Sequence, residues 1–409
     1  MGKLGAWFAG ARRNWALFLA AGVFFGVATG VTDTSFNNYL SGVFGMTART
    51  RGFLEFPREL PGCGIVAVTA LLAFLPEVKL AVLAAFLWGL GVIGVGLLAP
   101  DLAWLVVWMM VWNMGTHLYM PLSQAIGVGV AEPDRVGQRL GQLAGANTAA
   151  LILGAGVVWL GQGHLGLGFK SLFITAAVAA VLASLCLGLM RTARREAGAR
   201  RTRFVFRKEY MLFYAMSVLY GARKQVFLTF GPWVIIKVFN QPASTIALLW
   251  IVASVLGIAA KPLLGMVIDK AGERLVLMAE SGLLILVCLG YAMGKGLMVG
   301  GFNLGLYLTC ACFVADQLLM AVGIARTTYL NKIAREPGDL TPTLSLGISL
   351  DHVVSMTVPA LGGLVWTACG YGYVFAAAAV LALVNLLAAS RVAVPRAVSG
   401  PAAPCSAGR

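Results

Sequence analysis

Two glutamates one helical turn apart, Glu55 and Glu59, stand with Arg58 in the stretch Glu55-Phe-Pro57-Arg58-Glu59-Leu-Pro61, inside otherwise apolar sequence. On a helix the pair shares one face with Arg58 close beside it, and the prolines free backbone groups in the same turn. Carboxylates held away from water can load and release protons, because a low dielectric penalises the charged form. Further segments repeat this pattern of polar groups in apolar surroundings. Asp33 precedes the run Thr34-Ser35-Phe36-Asn37-Asn38, Arg223-Lys224-Gln225 follows Tyr220, and Asp316-Gln317 interrupts another apolar run. Asp351-His352 follows Ser345 and Ser349, while His117 lies in Trp112-Asn113-Met-Gly-Thr116-His117-Leu-Tyr119.

Each group has a plain alternative to a functional role. Arg223 and Lys224 can bind an anionic solute or serve as counter-ions for carboxylates, and both readings stay open. Imidazole is the side chain most readily moved across physiological pH, so His352 can shuttle protons. Neighbours on a helix diverge by about 100°, however, so Asp351 and His352 need not touch. A solvated helix start is the rival reading for Glu55 and Glu59, and a packed helix residue is the rival for His117. The aromatics Trp112, Tyr119, Phe227, Phe230, Trp233 and Tyr307 suit either a cavity wall or a lipid-facing position. On these residue types we expect proton coupling at Asp33, Glu55, Glu59, Asp316, Asp351 and His352. Solute contact is expected at Asn37, Arg58, His117, Tyr119, Arg223 and Lys224.

The elements that must position these groups are long apolar runs separated by short polar gaps. In 409 residues, 59% are hydrophobic and only 11% charged, a composition that specifies a polytopic membrane protein. Continuous Leu/Val/Ala/Gly runs select helices over a barrel, because each helix satisfies its own backbone in lipid. The runs predict about twelve spans, at 14–40, 52–75, 78–99, 102–126, 143–161, 168–190, 210–237, 243–265, 274–294, 298–324, 341–367 and 371–390. The first run is longer than a signal peptide and reads as the first helix.

Basic residues accumulate in cytoplasmic loops. Placing both termini inside gathers most of the 31 Lys and Arg there, including the basic stretch Arg191–Lys208. The net charge of +15 is then topogenic and calls for no nucleic acid. The chain divides into an N-terminal bundle (1–190), a basic cytoplasmic linker (191–209), a C-terminal bundle (210–393) and a tail (394–409) expected to be disordered. A weak internal repeat supports the division. Ala131-Glu-Pro-Asp, Gly145 and Trp159-Leu return as Ala334-Arg-Glu-Pro-Gly-Asp, Gly347 and Leu364-Val-Trp366. The seven cysteines show no paired spacing, so no disulfide framework is expected.

Across almost its whole length the chain resembles the major facilitator superfamily of secondary transporters. The most specific residues are Gly265-Met-Val-Ile-Asp269-Lys270-Ala-Gly272-Glu273-Arg274, which match that family's cytoplasmic loop pattern with Glu273 in place of a basic residue. The equivalent loop of the first half reads only Phe74-Leu-Pro-Glu77-Val-Lys79. The resemblance implies two pseudo-symmetric six-helix bundles and a gate or latch at Gly265, Asp269, Lys270, Gly272 and Arg274. Such a loop is also good turn chemistry. The Gly154-Ala-Gly156 and Pro359-Ala-Leu-Gly362-Gly363 segments resemble helix-packing segments of the same family.

The expected function is therefore alternating-access transport of a small solute or ion across the cytoplasmic membrane, coupled to protons, by a monomer without a resident cofactor or metal. No phosphate-binding loop ends in Gly-Lys-Ser/Thr, and no catalytic constellation stands out. Two other readings stay open. One is a divalent-metal exporter using Asp33, Asn37, His117, Asp316 and His352; the other is a non-transporting sensor or lipid-binding protein.

Overall fold

The computed structural model describes residues 2–72, 75–130, 136–190, 206–298, 300–336 and 339–393. Most of the linker (191–205), the tail (394–409) and the 131–135 part of the internal repeat lie outside them. Among the described residues the chain is helical, without a strand. The helices are α1 (Gly2–Gly42), α2 (Ala48–Leu71), α3 (Glu77–Leu97), α4 (Leu102–Val130), α5 (Val136–Gly163) and α6 (Phe169–Gly188). They continue with α7 (Met211–Lys237), α8 (Ala243–Ala271), α9 (Glu273–Met293), α10 (Leu304–Leu319), α11 (Gly323–Ile333), α12 (Leu340–Cys369) and α13 (Tyr371–Ala389). A 3₁₀ turn at Met320–Val322 joins α10 to α11, so the two form one crossing and the total is twelve.

Nine of these crossings are long and apolar enough to span a membrane by length and composition. The three that fall short, α2, α4 and α7, carry Glu55, Glu59, His117, Arg223 and Lys224. Their hydropathy is lowered by the groups that make them interesting, and the low value marks helices whose polar faces turn inward.

Several boundaries differ from expectation, three of them at residues that matter for the site or the latch. Residues 265–271 belong to α8, and the turn before α9 is carried by Gly272 alone at φ 82°. Glycine takes that left-handed conformation without a Cβ clash, so the helix continues until it arrives there. Arg51, expected in a loop, lies on α2 and is buried. Arg326 and Lys332, also expected outside a span, are carried into helix α11 past the 3₁₀ turn.

The first six helices pack on one another, as do the last seven, and the two sets meet mainly where α2 lies on α12 and α5 on α8. Small residues make the first crossing possible. A Cβ on Gly52 would strike the Pro359 carbonyl, and Gly363 rests on the backbone of Ala48 and Arg49. Gly154 likewise abuts the Val27 carbonyl of α1. These contacts, with Asn38 Nδ2 donating to the Gln241 carbonyl at 3.0 Å, close the face that holds the α1–α2 and α7–α8 turns. On the opposite face, which holds the end of α4, the start of α5 and the α8–α9 turn, the halves part around a cavity.

Candidate functional site

The cavity encloses about 720 Å³ between the halves. It runs from the middle of the helices toward the open face, past Gly22 of α1, Ser123 and Gln124 of α4, and Leu140, Ala144 and Asn147 of α5. Its N-terminal wall carries Asp33, Phe36, Asn37, Arg51, Arg58, Trp112, Asn113 and Tyr119. The C-terminal wall offers Phe227, Pro232, Trp250, Phe313 and Gln317. Aromatic faces thus alternate with amide and charged groups, as in sites that hold a ring while reading its polar substituents.

Asp33 is open to this space, and among the described residues it makes no ion pair. Arg58, whose side chain is 26% exposed, lines the same wall. The cavity therefore presents one carboxylate without an ion pair among the described residues, beside Arg58 and Arg51, both of which are committed to Glu55. Trp250 Nε1 is buried there without a hydrogen-bond partner among the described residues.

Behind that wall lies a dense ionic network built on α2. The fully buried Glu55 accepts from Arg51, from Arg58 Nε at 2.5 Å and from Gln225 Nε2 of α7 at 2.6 Å. Arg51 Nε also donates to Asn37 Oδ1 at 2.9 Å. Glu59 meets Arg58 through Oε1 at 2.8 Å and His352 Nδ1 of α12 through Oε2 at 3.0 Å. His117 Nε2 stands 4.0 Å from that second oxygen, and its ring meets His352 edge-on. Beside it, Lys224 Nζ pairs with Asp351 Oδ2 at 2.5 Å, and Ser355 Oγ donates to Asp351 Oδ1 at 3.2 Å. Buried charge is tolerated here because every carboxylate oxygen has a donor and each cation a counter-charge.

A second cluster sits inside the C-terminal half. Arg223 donates to Asp316 Oδ1 at 2.8 Å, with both side chains almost wholly buried. Arg326 of α11 lies over the Tyr220 ring, 3.4 Å from its centroid. The buried Glu280 of α9 lines a small neighbouring cavity with Tyr220 and Arg223.

Sequence reasoning grouped these residues only in part. Glu55, Glu59, Arg58, His117 and His352 do come together, and Asn37 and Tyr119 do face the cavity. Arg223 and Asp316 are brought to each other rather than to the cavity, and Lys224 is brought to Asp351. Asp316 consequently does not join His117 and His352, so the five-residue metal set of the sequence reading is not assembled. Of the aromatics, Trp112, Tyr119 and Phe227 line the cavity, Phe230 and Trp233 are buried in packing, and Tyr307 faces outward. Arg51, Glu280 and Arg326 were missed as members of buried networks. For Glu280 a signal existed, a lone carboxylate in the apolar run 274–294; for Arg51 it was the four-residue spacing to Glu55.

The latch segment stands on the open face. Asp269, Lys270 and Arg274 are exposed and, among the described residues, unpaired, while Gly265 has no neighbour against its α-carbon face. The residue that departs from the pattern is the one engaged. Glu273, buried at the start of α9, pairs with Lys332 of α11 at 2.6 Å. Nearby, Arg207 pairs with Glu336 and Asp339, and Tyr210 donates to Asp339 at 2.8 Å. The end of the linker is thereby bolted to the C-terminal half. The six described cysteines are free.

A family model described as the Major Facilitator Superfamily matches residues 62–339. The chain belongs to that superfamily. Solved structures agree at the level of the fold. A mutant of the nucleoside transporter NupG superposes with a TM-score of 0.74 at 14% identity, covering 92% of this chain and 98% of its own. The D-xylose-proton symporter gives 0.71 at 16% identity, covering 94% and 98%. A bacterial homolog of the human lysosomal transporter Spinster, in an inward-facing and occupied conformation, gives 0.66 at 14% identity, covering 94% and 96%. No curated protein matches in sequence. As a member of this superfamily the chain is a multi-pass membrane protein and a secondary transporter of a small solute.

Proposed function

We propose that the protein is a proton-coupled transporter of a small, neutral or zwitterionic, ring-bearing polar solute, with the central cavity as its binding site. The observation that carries the reading is the cavity wall itself, on which Asp33 and Arg58 share space with Phe36, Trp112, Tyr119 and Trp250 and with the amides of Asn37, Asn113, Asn147 and Gln317. Aromatic faces take the apolar side of a ring, while amides take hydroxyl and carbonyl groups. A strongly anionic solute would meet Asp33 as well as Arg58. The nucleoside and D-xylose cargoes named for two of the similar folds belong to this chemical class, which lends it support.

In this reading Asp33 is the proton-carrying group. It is a carboxylate that reaches the cavity without a fixed counter-ion, so its charge can be neutralised by a proton or a solute cation. Glu55 and Glu59, committed to Arg51, Arg58, Gln225 and His352, hold α2 against α7 and α12 and pass changes at Asp33 and Arg58 to the contacts between the halves. Arg223–Asp316 and Lys224–Asp351 brace the C-terminal half. Asp269 and Arg274 act as a latch that pairs when the open face closes; their exposure here suits the conformation in which that face is open. Basic asymmetry supports a cytoplasmic side for this face and for both termini. The two six-helix bundles rock about the cavity, and the chain works as a monomer rather than as an enzyme.

Tryptophan fluorescence tests the binding step. Trp112 and Trp250 line the cavity, so titration with a panel of nucleosides, pentoses and zwitterions should quench or shift emission saturably. Arg58→Gln should weaken the effect. Saturable binding confined to inorganic anions or bulky lipophiles would overturn the assignment.

A further inference from the structure

Glu59, His117 and His352 come from three helices and point donor atoms at one another, with every pair within 4.8 Å. Their arrangement is directional. Arg58 holds Glu59 Oε1 at 2.8 Å and leaves Oε2 to both imidazoles, at 3.0 Å from His352 Nδ1 and 4.0 Å from His117 Nε2. The two rings stand 5.0 Å apart at 76°. Gly62 leaves the room that the His117 ring occupies, since a Cβ there would lie 2.9 Å from its Cε1.

We propose that these three side chains form a binding site for one borderline transition-metal dication of the Zn(II) class, which clamps the two halves together at mid-membrane. Two imidazoles and a carboxylate are a donor set such ions favour, with a fourth position left for water. Bonds of about 2.0–2.2 Å in a tetrahedral shell hold donors roughly 3.3–3.6 Å apart. Glu59 and His352 are already near that spacing, and His117, 4.0 Å from Glu59 Oε2 and within 4.8 Å of the His352 donor, closes it by moving about 1–1.5 Å. Sulfur donors flank the site. Cys63 Sγ lies 3.4 Å from Met356 Sδ, each one turn along its helix from Glu59 or His352. Neighbouring cations do not repel a metal without compensation, because Arg58 is committed to Glu55 and Glu59 and Lys224 to Asp351. Loading displaces the proton shared between Glu59 and His352.

The clamp follows from the helices that contribute. Glu59 and His117 belong to the first half and His352 to the second, so rocking pulls the ligand set apart. Metal binding therefore selects the conformation described here and slows turnover. This proposal does not depend on the identity of the solute, and its test needs no transport.

The chain has three histidines, and the third, His164, lies in the α5–α6 turn against Trp159, which provides a control. Tag-free full-length protein in detergent is equilibrated with ZnCl₂, and bound metal and thermal stability are measured. One Zn(II) per chain with a raised Tm is expected for wild type and for His164→Ala. His117→Ala and His352→Ala should each weaken binding by more than the roughly 10–100-fold that loss of an outer-shell partner costs. Should the variants fold poorly, zinc-edge X-ray absorption on wild type decides, with two imidazoles in the shell expected. Unchanged stoichiometry and affinity in both variants, or a shell without imidazole, would overturn the site.

Discussion

Gln225 of α7 donates through Nε2 to Glu55 Oε2 of α2 at 2.6 Å, both residues buried, across the boundary between the halves. Glu55 is already held by Arg51 and Arg58 on its own helix. The first half thus supplies a neutralised carboxylate, and the second half reads its position through one neutral amide. A hydrogen bond to a charged group contributes about 1.5–3 kcal/mol, enough to bias an equilibrium between conformations by tenfold or more.

Gln225→Ala should therefore loosen the closed face. In a cysteine-free background, a single cysteine at Asn240 in the α7–α8 turn should react with a membrane-impermeant thiol reagent about tenfold faster when Gln225→Ala is added. An unchanged rate would remove the link from the gate.

The Arg223–Asp316 pair should behave as a structural brace. Asp316→Asn or Arg223→Met strands the other member in the bilayer interior and should cost about 3–5 kcal/mol, read as a lowered Tm in detergent. The double variant should recover much of that loss. Solute affinity in properly folded Arg223→Lys protein should stay within about threefold of wild type, an interval too small for a lost charged contact.

Asp33→Asn removes the one cavity carboxylate without an ion pair among the described residues. In liposomes it should abolish accumulation driven by a pH gradient while leaving solute exchange in place, since exchange needs no net proton movement. Retention of full gradient-driven accumulation would transfer coupling to another group.

Asp269→Asn should slow turnover more than it weakens solute binding, because a latch biases conformations and does not touch the cargo. Glu273→Gln, which removes the buried carboxylate that ties Lys332 of α11 to α9, should also lower thermal stability, by about 1 kcal/mol or less because Lys332 is half exposed. If Asp269→Asn turned over at the wild-type rate, the segment would serve as a helix end and turn only.

Much of the fold was legible because a bilayer admits few solutions. Twenty-residue apolar runs such as 168–190 must be helices, and their number and basic asymmetry follow from counting. The site was legible only to the level of which helices carry charge. Pairing depends on helix rotation and on small-residue contacts between distant segments, such as Gly52 with Pro359, and no local spacing encodes them. Asp351 and His352 show the difference: adjacent in sequence, they turn to Lys224 of α7 and Glu59 of α2 respectively. The α8 boundary was misplaced because a loop was expected wherever polar residues began, although Asp269 and Lys270 sit comfortably on an exposed helix end.

The central claim, that solute and protons cross together through this cavity, is tested most directly by solute-dependent proton movement. Wild-type protein is reconstituted into weakly buffered liposomes, with an external pH dye and no imposed gradient, and members of the nucleoside and pentose panel are added outside. A transported solute should move protons in step with its own uptake, the signal vanishing with a protonophore and with Asp33→Asn. Solute uptake at full rate with no accompanying proton movement would contradict the account.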